Sequence, residues 1–123
     1  MKSVQDLVDE ALKVVREVEV GDLASMQDWV LLDVREPEEF ASGHPAGARN
    51  VPRGMLEVAV DHEHRKRDPS LGDRSLKLAL ICGSGVRSAL AAKAMVEMGF
   101  DDPVSVRGGW TAYVASGLPV ERG

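Results

Sequence analysis

The sequence predicts an α/β domain with a mainly parallel sheet, and three observations support this prediction. Continuous apolar runs at residues 29–34 and 78–81 are typical of buried parallel strands, which are covered on both faces. Segments with helical spacing of apolar residues alternate with strand-like runs along the chain. Asp33 and Cys82 lie at the carboxyl ends of the two runs, where chemistry in parallel sheets is concentrated.

Composition limits the class of protein. A chain of 123 residues, 44% hydrophobic and 28% charged, fits one globular domain. Its formal net charge of −5 argues against nucleic acid or an acidic membrane surface as the main partner. The single cysteine excludes an internal disulfide and a four-cysteine zinc site. The N-terminus lacks the apolar segment of a signal peptide, and no apolar run reaches the roughly 18 residues of a membrane span. We therefore expect a cytoplasmic protein.

The N-terminal segment has the pattern of an amphipathic helix. Its apolar residues recur at helical spacing from Val4 to Val18, and Ser3 is placed to cap the first turn, with Asp6 three residues later. We expect residues 1–17 to pack on the domain formed by residues 18–123, although this helix could equally serve a dimer contact.

The rest of the chain alternates between short strands and helices. Pro37 suits the first turn of a helix, and Gly99 and Gly117 suit helix ends. The pattern predicts strands at residues 18–20, 29–34, 50–52, 78–81 and 104–106. It predicts helices or helical turns at residues 21–27, 37–40, 55–60, 88–98 and 110–115, and a polar surface connection at residues 61–73.

Cys82 lies where a strand gives way to a glycine-containing loop and then to a helix. Backbone N–H groups of such a loop, together with the dipole at the helix N-terminus, stabilise a thiolate. The segment therefore predicts a nucleophile held in an anion-binding loop. The alternative is a small buried side chain in an ordinary strand-to-helix connection, which also uses glycines such as Gly83 and Gly85.

Four segments in the same order resemble the rhodanese (sulfurtransferase) family. They read LLDVREPEEF at residues 31–40, GHPAGARNVP at 43–52, CGSGVRS at 82–88 and GGWTAY at 108–113. The resemblance covers nearly the whole chain, from about residue 18 to residue 121. It implies a rhodanese-like fold, in which a central, mostly parallel five-stranded sheet has helices on both faces.

The resemblance also implies a reaction without a cofactor. Cys82 is expected to take a sulfane sulfur from a donor such as thiosulfate and to pass it, as a persulfide, to a thiophilic acceptor such as cyanide or a thiol. The backbone amides of the loop are expected to hold the anion; its residues are Gly83, Ser84, Gly85, Val86, Arg87 and Ser88. The alternative is a persulfide carrier that receives sulfur from a partner protein, since the neutral loop offers few contacts to a free anion.

Two departures from the family pattern concern the loops. Pro45 follows His44 where an aliphatic residue is usual, and Gly83 stands where many members carry a basic or larger residue. The spacing of the loop also argues against phosphatase chemistry. Cysteine phosphatases of this fold place five residues between cysteine and arginine, whereas four separate Cys82 from Arg87.

Charged residues near the loop have two interpretations each. Arg87 either contacts an anionic donor or pairs with Asp33 or Glu36, and we favour the ion pair. We expect Asp33 to hold loop amides or an arginine rather than to act as a general base. Arg35 and Arg53 either line the mouth of the pocket and attract thiosulfate or are ordinary solvated charges.

The remaining candidates have mainly structural interpretations. His44 is expected to be a hydrogen-bonded structural histidine. His62 and His64 are two residues apart on a polar loop and lack a third ligand, so we expect surface residues and no metal site. Trp110 and Tyr113 are expected to pack against the core, with Tyr113 the nearer of the two to the surface.

Overall fold

The computed structural model describes residues 1–123 and contains a five-stranded, fully parallel sheet, which confirms the predicted fold class. The strand order is β1-β6-β5-β2-β4, and a separate antiparallel pair joins β3 to β7. The strands are β1 (Arg16–Val18), β2 (Val30–Asp33), β3 (His44–Pro45), β4 (Arg49–Asn50), β5 (Leu78–Ile81), β6 (Val104–Val106) and β7 (Val120–Glu121).

Helices cover both faces of the sheet. The α-helices are α1 (Val4–Ala11), α2 (Pro37–Ser42), α3 (Leu56–Val60), α4 (Val86–Glu97) and α5 (Gly109–Ala115), with 3₁₀ turns at Val20–Ser25, Arg53–Met55 and Pro69–Leu71. Side chains of α3 and α4 pack on one face, where Leu80 and Met95 are fully buried. The other face packs against Tyr113 of α5. No helix combines the length and apolar character needed to cross a bilayer.

The first helix ends earlier than predicted, and the first strand begins and ends earlier. Helix α1 ends at Ala11, and the first strand is Arg16–Val18 rather than residues 18–20. The shift has a local cause, because the N–H of Glu19 donates to the Asp22 carboxylate at 2.9 Å instead of joining the sheet. The predicted cap of α1 is confirmed, since the Asp6 N–H donates to Ser3 Oγ at 3.0 Å.

Helix α1 packs on α4 of its own chain. Val8 and Ala11 bury their side chains against Ala89, which lies in the first half of α4. Contact between these helices places α1 on the same face of the sheet as α4. The contact of α1 with its own chain is thus made through α4.

The antiparallel pair β3/β7 was not predicted. His44 pairs with Glu121 and Pro45 with Val120, so that the C-terminal segment closes over the loop after α2. Strands of two residues carry no periodic pattern, and proline is depleted from strands. Pro45, one of the two departures from the family pattern, thus lies in this strand pair. The neighbouring hydrogen bond of the pair is donated by the Ala46 N–H to the Pro119 carbonyl.

A buried ion pair fixes the carboxyl end of β2. Arg35, only 4% exposed, donates from Nε and Nη2 to the carboxylate of Asp33, with its shortest contact at 2.8 Å. The same guanidinium donates to the Gly43 carbonyl and lies 4.7 Å from the ring centre of Trp110. Asp33 holds an arginine as expected, whereas the placement of Arg35 at the pocket mouth or in solvent is wrong.

Removing the Arg35 guanidinium leaves Asp33 as a buried, uncompensated carboxylate. We expect Arg35→Ala to lower the free energy of unfolding by about 3 to 5 kcal/mol. Arg16→Ala, which removes an exposed ion pair with Asp102, should cost less than about 1 kcal/mol. Chemical denaturation of the two variants measures both values. Equal losses would contradict the structural role assigned to Arg35.

The N-terminus of α5 holds the segment that follows β5. The Trp110 N–H donates to the Cys82 carbonyl at 2.7 Å, and the Thr111 N–H donates to the Gly83 carbonyl at 3.2 Å. Gly109 has a φ of +53° and lies so close that a Cβ there would overlap the Cys82 carbonyl oxygen. Only glycine therefore allows α5 to approach this segment.

Substitution of Gly109 should displace the residues around Cys82. We expect Gly109→Ala to lower stability and to change the alkylation rate of the Cys82 thiol, because the added methyl group forces α5 and the loop apart. Gly117→Ala is the matched control, since Gly117 has a φ of +69° but open space around it. It should cost about 1 to 2 kcal/mol and leave the thiol unchanged. A Gly109→Ala thiol that reacts like the wild type would refute the close contact.

Candidate active site

Cys82 follows the last residue of β5 and is 1% exposed. Its sulfur has two hydrogen-bond partners in the protein. The Gly85 N–H donates to Sγ at 3.1 Å, and the Ser88 hydroxyl oxygen lies 3.4 Å from Sγ. Because bulk water scarcely reaches the thiol, these two groups set its surroundings.

The loop after Cys82 carries a run of backbone donors without acceptors. Apart from Gly85, none of the amides of residues 83–88 donates to a group of the protein. Gly85 is in the left-handed region, with a φ of +109°, and precedes the first residue of α4. Free amides at a helix N-terminus are suited to holding an anion. Gly83, Ser84, Gly85, Val86 and Arg87 are all at least partly exposed.

Ser88 differs from the rest of the predicted loop. It is the third residue of α4 and is completely buried. Its hydroxyl lies between the Cys82 sulfur and the hydroxyl of Ser105, which is 2.8 Å away on β6. Ser105 was not identified from the sequence. The only indication in the sequence was a polar residue between two valines, Val104 and Val106. This pattern is also typical of a strand that alternates between buried apolar and exposed polar residues, so it did not mark Ser105 as a site residue.

Arg87 pairs with Glu39, not with Asp33 or Glu36. Its Nη1 donates to Glu39 Oε1 at 2.8 Å and its Nη2 to Oε2 at 3.3 Å. The expected ion pair is thus present with a different partner. Asp33 is occupied by Arg35, and Glu36 lies before α2, where its N–H donates to the Glu39 carboxylate. The Glu39 carboxylate thus accepts from both the Glu36 N–H and Arg87 of α4.

The Arg87–Glu39 pair is stable over a wide pH range. The hydrogen bond from Arg87, followed by that from the Glu36 N–H, lowers the pKa of Glu39 to about 2. The hydrogen bond with Glu39 raises the pKa of Arg87. Because the folded-state pKa of Glu39 lies below its usual 4.5, the stabilising effect is present above pH 4.5 and is lost as the pH falls toward 2.

The remaining charged candidate is Arg53, which pairs with a carboxylate of its own segment. Arg53 lies in the 3₁₀ turn that contacts α4 and donates to Glu57 at 2.8 Å. Its guanidinium is partly exposed, so Arg53 is neither a buried structural cation like Arg35 nor a fully solvated charge.

The histidines take structural positions. His44 is buried, its Nδ1 lies 2.9 Å from the Phe40 carbonyl, and its ring stacks on Phe40, as expected for a structural histidine. His62 bonds the Gly72 carbonyl, and His64 accepts from a backbone N–H of its own loop. The structure contains no group of three or more metal-ligating side chains.

The two aromatic residues of the closing motif pack against the core. Tyr113 is 5% exposed and donates to the Pro119 carbonyl, whereas Trp110 is the more exposed of the two. The packing role is confirmed, and the predicted order of exposure is wrong. The cause is the C-terminal segment before β7, which covers Tyr113.

Comparison with known proteins identifies the family. Residues 18–116 match the family model described as a rhodanese-like domain. The chain is 36% identical over 93 residues to thiosulfate sulfurtransferase 16, chloroplastic, of Arabidopsis thaliana, with 73% of this chain and 78% of the relative covered. It is 32% identical over 103 residues to thiosulfate sulfurtransferase GlpE of Actinobacillus pleuropneumoniae serotype 3, with 81% and 84% covered.

Solved structures show the same architecture. A Rhodopseudomonas palustris protein of unknown function, described as a possible tyrosine phosphatase, superimposes with a TM-score of 0.91 at 29% identity over 98% of this chain and 96% of that one. The human single-domain sulfurtransferase TSTD1 shares the fold, with a TM-score of 0.72 at 24% identity over 82% and 96% of the two chains. This chain therefore belongs to the rhodanese-like family, among single-domain sulfurtransferase relatives.

Proposed function

We propose that this protein is a sulfurtransferase that moves a sulfane sulfur from thiosulfate, or a similar donor, to a thiophilic acceptor through a persulfide on Cys82. The observation that supports this function is the position of the thiol. The Cys82 sulfur accepts a hydrogen bond from the Gly85 N–H. Cys82 also precedes a loop whose other backbone amides have no hydrogen-bond acceptor in the protein. The names of the relatives, thiosulfate sulfurtransferases, point to the same donor class.

The reaction proceeds in two displacements. The Cys82 thiolate attacks the outer sulfur of thiosulfate, the S–S bond breaks, and sulfite leaves with the bonding electron pair. The enzyme then holds the outer sulfur as a persulfide anion. An acceptor such as cyanide attacks that sulfur, thiocyanate leaves, and the Cys82 thiolate is regenerated. Charge balances in each step, so no cofactor or redox partner is required.

The free amides address the main barrier to the first step. A thiolate and a thiosulfate dianion repel each other, and a ring of preorganised N–H donors lowers that repulsion without carrying a full charge. The same donors can hold the negative outer sulfur of the persulfide. Backbone recognition of this kind depends on loop shape and therefore on Gly85, whose left-handed conformation turns the chain into α4.

Phosphate-ester hydrolysis is less well supported. The Rhodopseudomonas palustris neighbour is described as a possible tyrosine phosphatase. In this chain, however, four residues separate Cys82 from Arg87, one fewer than the phosphatase loops of this fold contain. Arg87 is also engaged by Glu39, which leaves the loop without a free guanidinium for a phosphate.

Transfer from a protein-borne persulfide is a second candidate function. The three arginines that could have attracted thiosulfate are each paired with a carboxylate: Arg87 with Glu39, Arg35 with Asp33 and Arg53 with Glu57. A site without an unpaired arginine favours a donor with less charge than thiosulfate. A persulfide on a partner protein is such a donor, and a carrier of this kind turns over small molecules slowly.

Persulfide formation can be tested by intact mass. Incubation with thiosulfate, followed by removal of excess reagent, should add about 32 Da, one sulfur atom, to the wild-type protein. Cys82→Ala should gain nothing, because Cys82 is the only cysteine. Cys82→Ser should fold normally and lose cyanide-dependent thiocyanate production.

The controls separate the two candidate functions. If folded wild-type protein with a titratable thiol gains no mass from thiosulfate but gains it from a persulfidated protein donor, the carrier function holds. Turnover of thiosulfate by Cys82→Ser would refute a persulfide mechanism. Hydrolysis of a phosphate ester that depends on Cys82 would instead support the phosphatase alternative.

Glu39 should govern the affinity for thiosulfate. Glu39→Gln removes the carboxylate that neutralises Arg87, so we expect the KM for thiosulfate to fall by about threefold to tenfold at low salt. Glu97→Gln is the matched control, since Glu97 forms an exposed ion pair with Lys93 on the same helix, α4. Steady-state kinetics measures the change. An unchanged KM would show that the charge of Arg87 does not contribute to binding the donor.

A further inference from the structure

A chain of three side chains leads from the sheet to the reactive sulfur. Ser105 lies in the middle of β6 and pairs in register with Leu80 of β5. Its Oγ is 2.8 Å from Ser88 Oγ, which is 3.4 Å from Cys82 Sγ. Ser88 and Ser105 are both completely buried. Burying a hydroxyl group destabilises the fold unless the group is hydrogen-bonded. Each serine here meets this requirement through the other.

The position of Ser105 is otherwise apolar. Its neighbours Val104 and Val106 pack in the cluster on the other face of the sheet. Ser105 therefore faces α4, on the side where Leu80 and Cys82 belong to the core. A valine or alanine would suit this site as well for packing alone. The hydroxyl has a single hydrogen-bond partner, the Ser88 oxygen.

Counting protons along the chain distinguishes the thiol from the thiolate. Each hydroxyl has one proton, and only two links are available, Ser105 to Ser88 and Ser88 to Cys82. With a thiol that donates to Ser88, the Ser88 proton goes to Ser105, and the Ser105 proton has no acceptor. With a thiolate, Ser105 donates to Ser88 and Ser88 donates to the sulfur. Every proton is then used.

We propose that Ser105 is a positioning residue for Cys82, which acts through the Ser88 hydroxyl to direct a hydrogen-bond donor at the sulfur and so stabilises the thiolate. Neither serine transfers a proton to substrate. The stabilised thiolate is the nucleophile in the first displacement and the leaving group in the second, so the catalytic part of this inference rests on the proposed function. The effect on ionisation does not.

Other groups around the sulfur act in parallel. Gly85 donates its N–H to Sγ, and the charged residue that faces Cys82 is Arg87, which is flanked by Glu39 and Glu36. None of these groups forms a hydrogen bond with the Ser105 hydroxyl. A change at Ser105 should therefore reach the thiol only through Ser88, which makes the two serines a coupled pair.

The test follows thiolate absorbance near 240 nm across pH in wild type, Ser88→Ala, Ser105→Ala and the double variant. Cys82→Ala serves as the blank, and since Cys82 is the only cysteine, the difference signal belongs to it alone. Subtraction also removes the phenolate of Tyr113, whose pKa is raised by burial.

We expect Ser88→Ala to reduce the thiolate fraction below the titration midpoint by about tenfold and Ser105→Ala by about threefold to fivefold. Because Ser105 acts through Ser88, adding Ser105→Ala to Ser88→Ala should change nothing further. Ser105→Thr keeps a hydroxyl group at this position, and threonine suits a strand. The Cys82 thiol of this variant should therefore titrate as it does in the wild type.

Val104→Ala controls for a general loss of packing in β6. It removes a fully buried side chain from the same strand on the opposite face and should lower thermal stability without moving the titration. Three results would overturn the proposal: an unchanged titration in Ser105→Ala, additive effects of the two serine substitutions, or an equal shift in Val104→Ala. The two claims can fail independently. If Ser105→Ala shifts the Cys82 titration but the wild-type protein has no sulfurtransferase activity, the role of Ser105 is supported and the proposed function is refuted.

Discussion

The approach of α5 to the residues after β5 is the contact on which the site depends. The Trp110 N–H holds the Cys82 carbonyl, and Gly109 permits the distance because it lacks a Cβ. With its carbonyl fixed in this way, Cys82 directs its sulfur to the opposite side, toward α4. The thiol at the end of β5 then lies next to the first turn of α4. Between these elements the thiol contacts the Ser88 hydroxyl, which in turn contacts the Ser105 hydroxyl.

Charge in this region is neutralised locally in two separate pairs. Asp33 and Arg35 are buried together, so their charges stabilise the connection from β2 to α2 rather than an external ligand. Glu39 and Arg87 are about two-fifths exposed and join α2 to α4 beside the loop. The first pair is a structural requirement, because either partner alone would be an isolated buried charge. The second pair can be broken at lower cost, and a bound anion could compete with Glu39 for Arg87.

The sequence was sufficient for the sheet and for the position of Cys82, the proposed nucleophile. The apolar runs predicted β2 and β5 with errors of no more than one residue at each end. The glycine-containing segment after the second run indicated that Cys82 follows a strand. The partners of the arginines were not predictable in this way. Arg35, Glu36 and Glu39 are neighbours in sequence, and which of them faces inward depends on where α2 begins and on the contact with Trp110. Ser105 was missed because its only partner lies on another element, 17 residues away.

The arrangement implies a site that recognises shape more than charge. Backbone amides bind an anion through direction and distance, and a guanidinium that is already paired adds little long-range attraction. In the proposed reaction, selectivity then depends on which sulfur can reach Sγ, a buried atom, while the remainder of the donor rests on the partly exposed loop. A donor that places its charge on the transferred sulfur uses these amides fully. A donor that carries its charge elsewhere must find a partner outside the loop, and Arg53, which lies in the 3₁₀ turn that contacts α4 and is only partly buried in its pair with Glu57, is one cation that the fold supplies there.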